Sequence, residues 1–333
     1  MQAGAERARS ALGWIAAAVV LVAVAGFVYL RPDFGSAAGP RPAAPAPRSG
    51  LAGEVQLLAG TFGDARHGVI TVIRPGSTLA TYVTADGGRT WRPEPGIVNY
   101  LGDGSGAIEW SGARATQARL TVDGGRSWRT LQLPESVGGQ QPAFLDGARA
   151  WTMVSQAPGP GGQSIALWRT DDAGANWQPL RDAGIPEEGA KGGLTFVDAD
   201  HGVLTDSIPG GVKTILATED GGQSWRPAAT LSSPLPDARP LSVGILRHGG
   251  RLVAWLLTAT GQVGSQSATF DAVQSYTLAS DDGGRTWSAP VAGPRLDPRL
   301  VGRPVIDGRG RLLLLASRRL WVSEDDGRTW SAR

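Results

Sequence analysis

One eight-residue motif occurs six times in this chain and constrains the fold more than any other feature. Its copies follow the pattern Ser/Thr-x-Asp-x-Gly-x-Thr/Ser/Asn-Trp, and we refer to them as boxes one to six. Their central aspartates are Asp86, Asp123, Asp172, Asp220, Asp282 and Asp325. Their closing tryptophans are Trp91, Trp128, Trp177, Trp225, Trp287 and Trp330. Spacings of 37, 49, 48, 62 and 43 residues between the aspartates indicate a repeated supersecondary unit.

Each repeat has the composition of antiparallel strands joined by tight turns. An apolar run precedes each box and a polar run follows it, as expected for strands on either side of a turn. The Asp carboxylate can accept backbone N–H groups across such a turn, and the Gly can adopt a positive φ. The Trp offers a large apolar surface for packing between neighbouring units. The boxes are therefore predicted to be structural.

A weaker second repeat supports this division of the chain. Residues 62–69 (FGDARHGV) resemble residues 196–203 (FVDADHGV), and Phe144-Leu145-Asp146 is a degenerate third copy. In the first two copies the aspartate lies 22 residues before the aspartate of the following box. We interpret these segments as the turn between the first two strands of a unit.

The length of the repeat predicts the architecture. Residues 53–333, divided by a mean box spacing of about 48 residues, give close to six units. The sequence therefore predicts an all-β fold: a six-bladed β-propeller of four-stranded blades. A seven-bladed propeller is the alternative if one unit lacks a box. The longest spacing precedes box five and contains the polar stretch 261–274, which is predicted to be an insertion loop.

The N-terminus has the features of a membrane anchor. Residues 11–30 contain no charged side chain. At ~1.5 Å per residue, a helix of this length crosses a hydrocarbon core ~30 Å thick. Arg7 and Arg9 precede this segment, which predicts that residues 1–10 are cytoplasmic. A cleaved signal peptide is the alternative, because small residues at 36–38 would permit cleavage.

The remaining domain boundaries follow from this anchor. Residues 31–52 are rich in Pro and Ala and are predicted to form a semi-rigid linker. Residues 53–333 then form the propeller domain outside the cytoplasm, on a single-pass protein of the plasma membrane.

Composition excludes several kinds of site. The chain has no Cys, which excludes disulfides, thiolate nucleophiles and zinc–thiolate sites. Its net charge is only +2, so no general electrostatic attraction to nucleic acid is expected. No cofactor is predicted. Calcium binding by the boxes is not favoured, because each box offers few converging oxygens against the ~6–8 that calcium prefers.

The boxes resemble the bacterial neuraminidase repeats, also called Asp boxes, of the sialidase-like fold superfamily. Together with the Phe-x-Asp-x-x-x-Gly turn, they are most similar to the photosystem II stability/assembly factor-like propellers. The resemblance covers residues 53–333. It implies an exported propeller that binds other proteins, and this chain need not take part in photosynthesis. The predicted partner is another protein or a glycan bound on one face of the propeller.

An exported glycoside hydrolase, sialidase-like or glucanase-like, is the alternative function. The Arg-Ile-Pro motif of sialidases is absent, and its nearest equivalent is Ile73-Arg74-Pro75-Gly76. Only Tyr82, Tyr100 and Tyr276 follow the anchor, and the first and last precede boxes, where core packing is expected. Among the acids outside the boxes, no spacing singles out the pair that glycoside hydrolysis requires. No catalytic residue is therefore assigned.

One charged segment is a candidate partner site. Arg295, Arg299 and Arg303 recur every fourth residue in the sequence PRLDPRLVGRP before the last unit. The prolines disfavour a helix, so the segment is predicted to be a loop that carries a basic patch. An acidic protein or a glycan would be its partner.

Overall fold

The computed structural model describes residues 56–62, 68–74, 78–86, 90–94, 97–100, 107–111, 117–121, 127–134, 142–155, 164–181, 183–208, 212–263, 268–296, 304–306, 310–316 and 319–332. Its strands form six antiparallel sheets, each of four strands in chain order. We number these sheets one to six. The predicted all-β propeller architecture is confirmed.

The strands of the first three sheets are short. Sheet one contains β1 (Gln56–Phe62), β2 (Gly68–Arg74), β3 (Thr78–Thr84) and β4 (Arg92–Glu94). Sheet two contains β5 (Ile97–Tyr100), β6 (Ala107–Ser111), β7 (Gln117–Thr121) and β8 (Arg129–Leu131). Sheet three contains β9 (Ala143–Phe144), β10 (Ala150–Ser155), β11 (Ile165–Thr170) and β12 (Gln178–Pro179).

The later sheets include the longest strands. Sheet four contains β13 (Ala190–Phe196), β14 (Gly202–Ser207), β15 (Lys213–Thr218) and β16 (Arg226–Leu231). Sheet five contains β17 (Arg239–His248), β18 (Arg251–Val263), β19 (Ala268–Ser280) and β20 (Val291–Leu296). Sheet six contains β21 (Val305–Ile306), β22 (Leu312–Ala316), β23 (Arg319–Ser323) and β24 (Ser331–Ala332).

The first strands of the sheets lie side by side. β1 contacts both β5 and β21, β13 contacts both β9 and β17, and β17 contacts β21. Sheets two and three meet through a core that includes Leu131 and Phe144. The sheets therefore follow one another around a common axis, with the first strands innermost.

The predicted insertion loop at residues 261–274 is wrong. β18 continues to Val263 and β19 begins at Ala268, and the pairing of Gly261 with Phe270 extends their ladder after a bulge. The extra length of this repeat therefore forms a long hairpin. Its backbone groups are satisfied by cross-strand hydrogen bonds, which a polar loop would have left to solvent.

The core lies between the sheets, and β18 shows how the sequence builds it. Side chains of a strand alternate between its two faces. Leu252, Ala254 and Leu256 pack towards sheet four. Trp255 and Leu257, together with Ala259, pack towards sheet six. Because neighbouring sheets cover both faces of β18, successive residues of this strand must be apolar, and its sequence shows no polar–apolar alternation here.

Because neighbouring strands run in opposite directions, the turns lie at two opposite edges of each sheet. The boxes and the turns between first and second strands lie at one edge of each sheet, which we call the box edge. The turns between second and third strands lie at the other, with the connections between sheets. We call this the connection edge.

The predicted anchor and the linker lie outside the described residues. Among the residues that the structure describes, no helix is long and apolar enough to cross a bilayer.

Candidate functional site

Box four shows how the motif builds its turn. The hydroxyl of Thr218 donates to Asp220 Oδ1 at 2.8 Å, and the Ser224 N–H donates to the same oxygen at 2.9 Å. Ser224 Oγ donates to Asp220 Oδ2 at 2.5 Å. The Gly222 N–H donates to Thr218 Oγ1 at 3.0 Å, and Gly222 has a φ of +97°. All the specified polar positions of the motif therefore belong to one hydrogen-bonded turn.

The same carboxylate contacts recur in four other boxes. In each of them the aspartate accepts from the hydroxyl two residues earlier, and from the backbone and side chain four residues later. These aspartates are Asp86, Asp172, Asp282 and Asp325. Asp123 lies outside the described residues.

These contacts stabilise the ionised form of the aspartates. The Asn176 N–H, followed by the Asn176 side chain and the Thr170 hydroxyl, lowers the pKa of Asp172 to about 2. At Asp282, partial burial opposes this effect. Hydrogen bonds from Thr286 and Ser280 outweigh it, and the pKa is again about 2.

The box tryptophans are less buried than their predicted role suggests. Trp225 is buried, and it belongs to the core that sheet four shares with Trp151 of sheet three. The other five are half-buried. Trp287 and Trp330 pack against the cores on either side of sheet five. Trp128 lies under the Arg119 guanidinium, 5.4 Å from its ring centre.

A charged network joins sheets four and five at the box edge. Arg285 Nη2 lies 2.7 Å from His201 Nε2, and Arg285 Nε donates to Glu219 at 2.7 Å. Arg226 also pairs with Glu219. His201 Nδ1 lies 2.9 Å from Asp198. Because Arg can only donate, His201 Nε2 accepts and its Nδ1 carries the proton. The network therefore links two sheets through side chains that hold one another in ion pairs and hydrogen bonds.

A second charged cluster lies at the connection edge of sheet four, where sequence reasoning did not place a site. Lys191 Nζ lies 3.0 Å from Asp206 Oδ1, and these side chains are 0% and 7% exposed. Asp206 Oδ1 has no well-aligned hydrogen bond, so the attraction is mainly electrostatic. Lys191 also donates to the carbonyl groups of Glu188 and Gly189.

Lys213 completes this cluster. It is buried, and its Nζ donates to the Ile208 carbonyl at 3.0 Å. Burial lowers the pKa of Lys213, although the charge of Asp206 opposes the shift. Lys191 and Lys213 are the only lysines of the chain, whose other 30 Lys or Arg positions are all Arg. The presence of lysine at these two positions alone was the sequence signal that could have identified the cluster.

The same edge carries exposed apolar side chains. Among the described residues, the exposed large hydrophobic side chains are Ile208, Val212 and Leu235, at 39%, 49% and 38% exposure. Ile208 and Val212 close the turn between β14 and β15, and Leu235 lies in the connection from sheet four to sheet five. The turn and the connection leave the sheet at the same edge.

The predicted basic patch is only partly described. Arg295 is exposed and lies in β20 opposite Gln274, so the prediction of a loop is wrong at this position. It pairs into the ladder because the long β19 offers it a partner. Arg299 and Arg303 lie outside the described residues, and the patch stays a prediction.

The remaining acids and tyrosines do not form a site in the described residues. Glu187 and Glu188, which lie outside the boxes, are exposed to solvent. Tyr276 is buried in the core between sheets four and five. Within the described ranges, no group of three or more His, Asp or Glu side chains could hold a metal ion.

Comparison with known proteins gives neighbours among solved structures. No known family profile and no curated protein matches the sequence. The solved structure of YCF48 bound to D1 peptide is 20% identical and covers 86% of this chain and 83% of its own, with a TM-score of 0.45. YCF48 is a photosystem II assembly factor.

Two further solved structures are similar to this chain. An Aleuria aurantia lectin in complex with alpha-methyl-L-fucoside is 13% identical, covers 84% of this chain and 94% of its own, and has a TM-score of 0.49. A Penicillium chrysogenum alpha-L-arabinanase is 13% identical, with coverages of 87% and 86% and a TM-score of 0.43.

Proposed function

We propose that this protein is a membrane-anchored, extracytoplasmic scaffold whose propeller binds another protein. Residues 11–30 would cross the plasma membrane, and residues 31–52 would separate the propeller from it. We further propose that the six sheets are six blades of one closed ring. The contacts of β1 with both β5 and β21 support this closure. A closed ring offers a broad and rigid surface for binding.

The surroundings of the acidic side chains carry this proposal, because these groups accept hydrogen bonds within turns or form ion pairs. Glycoside hydrolysis needs a general acid, which is commonly a carboxyl group with a raised pKa. Among the described residues, every carboxyl group with a perturbed pKa is shifted downwards. These groups are Asp146, Asp172, Asp198, Glu219, Asp220, Asp282 and Asp325. All of these carboxylates stabilise turns or ion pairs, so folding alone accounts for their lowered pKa values. This favours a scaffold over the alternative hydrolase.

The test begins with the full chain in its host membrane. Resistance to extraction at alkaline pH would support the anchor, and protease digestion of the propeller from outside intact cells would support its location. Release of the whole chain without detergent would contradict the proposal.

The partner is tested by cross-linking in those membranes, followed by purification of the tagged chain. We expect a defined protein to be captured. The triple variant Arg295→Ala, Arg299→Ala, Arg303→Ala should lose that protein if the basic patch forms part of the surface. An unchanged capture would remove the patch from the proposal.

A further inference from the structure

We infer that the connection edge of sheet four rests on the surface of a lipid bilayer through Ile208, Val212 and Leu235. The inference rests on the proposed membrane anchor and adds an orientation to it. The box edge would then face away from the membrane, towards the surrounding compartment.

The three apolar side chains are held in place by the fold. The Ile208 N–H donates to the Val212 carbonyl at 3.1 Å, and the Lys213 ammonium binds the Ile208 carbonyl from beneath. This lysine is itself buried, so Ile208 is tied to the interior of the sheet. Ile208 and Val212 therefore lie at hydrogen-bonded ends of two paired strands, which reduces the entropy lost on contact with a surface.

Leu235 is presented beside that turn. Leu231, at the end of β16, pairs with Lys213, so the connection to sheet five starts next to Val212. Leu235 follows four residues later and lies between two prolines, which restrict its backbone. Its N–H donates to Ser233 Oγ at 3.1 Å. The two segments thus carry their apolar side chains at one edge of one sheet.

The path of the chain identifies the bilayer as the occupant. β1 begins at Gln56, which pairs with Ile73 near the end of β2, so the chain enters the propeller at the connection edge. Residues 31–55 separate that point from the apolar segment 11–30. As a flexible chain, 25 residues span on the order of 25–30 Å on average. The anchor would therefore hold this edge at a high effective concentration next to the lipid.

The box edge has the opposite character. It carries the network of Asp198, His201, Glu219, Arg226 and Arg285, whose charged groups would lose hydration at a hydrocarbon surface. None of the exposed large hydrophobic side chains of the described residues lies there.

Charge does not explain the attraction at the connection edge. Arg239 and Arg295 are exposed there, and so are Glu187, Glu188 and Asp237. Because both signs are present, the contact should depend on apolar insertion of ~5–10 Å into the headgroup region and not on anionic lipid. We therefore expect it to persist in zwitterionic vesicles and at high salt.

The absence of Cys from the chain allows a direct test in the full-length protein. Single cysteines are introduced at exposed positions, Ser232→Cys at the connection edge and Ala175→Cys at the box edge, and are labelled with an environment-sensitive fluorophore. The protein is reconstituted in phosphatidylcholine vesicles with and without a nitroxide-bearing lipid. We expect the label at position 232 to lose much more emission to the nitroxide than the label at position 175.

Two further variants make the result specific. Ile208→Ser, Val212→Ser, Leu235→Ser should reduce the loss at position 232 to that at position 175, whereas Ile208→Leu, Val212→Leu, Leu235→Ile should preserve it. Equal losses at both positions in an integrally anchored chain would overturn the inference. A change at position 232 that depends on protein density and not on the nitroxide would also overturn it, in favour of self-association. Extraction of the chain at alkaline pH would instead contradict the proposed anchor.

Discussion

At the scale of the residue, the box aspartates show why the motif specifies several polar positions at once. In box four, Asp220 accepts from Thr218 and Ser224, and Thr218 accepts from the Gly222 N–H. The sequence predicted the backbone contact of the aspartate. It did not predict the two hydroxyl contacts, although the repetition of hydroxyl or amide residues at those positions was the available signal.

The first prediction concerns Asp220, whose side chain is exposed and whose carboxylate closes the turn of box four. Asp220→Ala should lower the free energy of unfolding by about 1–2 kcal/mol, as for loss of a helix N-cap acceptor. Chemical denaturation of residues 53–333 measures this. Asp200→Ala, at an exposed aspartate of the adjacent turn, is the control and should change stability little. An unchanged midpoint for Asp220→Ala would contradict the role of the box.

The second prediction concerns acid stability. Asp172 and Asp282 have pKa values of about 2 in the folded chain, below the ordinary 3.8. Because the folded pKa is lowered, their stabilising effect is complete above pH 3.8 and is lost as pH falls towards 2. The melting temperature should therefore fall between about pH 4 and pH 2. Asp282→Asn should flatten that dependence, and an equally steep profile in this variant would argue against the assignment.

At the scale of the element, strands buried on both faces determine which substitutions the propeller tolerates. β14 sends Val203 to the core with sheet five and Leu204 to the core with sheet three. The same strand carries Asp206 just before its last residue, Ser207, and this carboxylate interacts with both lysines of sheet four. Packing and buried charge therefore meet in one short strand.

The third prediction compares the contributions of Asp206 and Lys213 to the free energy of unfolding. Asp206→Ala leaves the buried Lys191 without its anion and should cost about 3–5 kcal/mol of unfolding free energy. Lys213→Met removes a charge that burial already disfavours, so its effect should stay within about 1 kcal/mol.

The pH dependence of Lys213 gives a second measurement. Its folded pKa is lowered from 10.5, so the unfolded chain binds a proton more readily, and the stability of the native protein should rise with pH up to 10.5. Lys213→Met should lose this rise. Identical alkaline profiles for the two proteins would contradict the lowered pKa.

The fourth prediction uses two glycines. Gly284 in box five has a φ of +92°, and a Cβ there would lie 2.2 Å from Val203 Cγ1 of the neighbouring sheet. Gly284→Ala should therefore cost at least ~2 kcal/mol through strain and overpacking. Gly244 in β17 has no atom within 4 Å of such a Cβ, so Gly244→Ala should leave the melting temperature nearly unchanged. Similar melting temperatures for both variants would contradict the close packing of the box against sheet four.

At the scale of the whole molecule, the sheets are joined by interactions at several depths. Trp151 of sheet three stacks on Phe196 of sheet four, with ring centres 3.7 Å apart, and its Nε1 donates to Gly221 of box four. Arg247 of sheet five reaches past sheet four to the carbonyls of Phe144 and Leu145 in sheet three. Such links favour a rigid arrangement of sheets three, four and five, as the proposed binding function requires.

The fifth prediction follows from the downward pKa shifts. Residues 53–333 should not hydrolyse fluorogenic sialosides or β-glucans, because no perturbed carboxyl group of the described residues is set up as a general acid. Release of the fluorophore is compared with a known sialidase and with buffer alone. Turnover at enzyme-like rates that disappears on substitution of a single carboxylate of this domain would establish the hydrolase instead.

The sequence alone was sufficient for features that depend on contacts within a few residues. The all-β class, the positions of the box turns and the separation of the repeats could be read from it, since each box closes hydrogen bonds over four residues or fewer.

Only the tertiary structure decided the features that join distant segments. His201 and Arg285 meet although 84 residues separate them, and Arg251 pairs with Asp326 across 75. The long hairpin of sheet five, the burial of both lysines and the exposure of Ile208, Val212 and Leu235 at one edge have the same origin. Each depends on how neighbouring sheets pack against one another, and that packing is set by side chains far apart in the chain, which a local pattern does not encode.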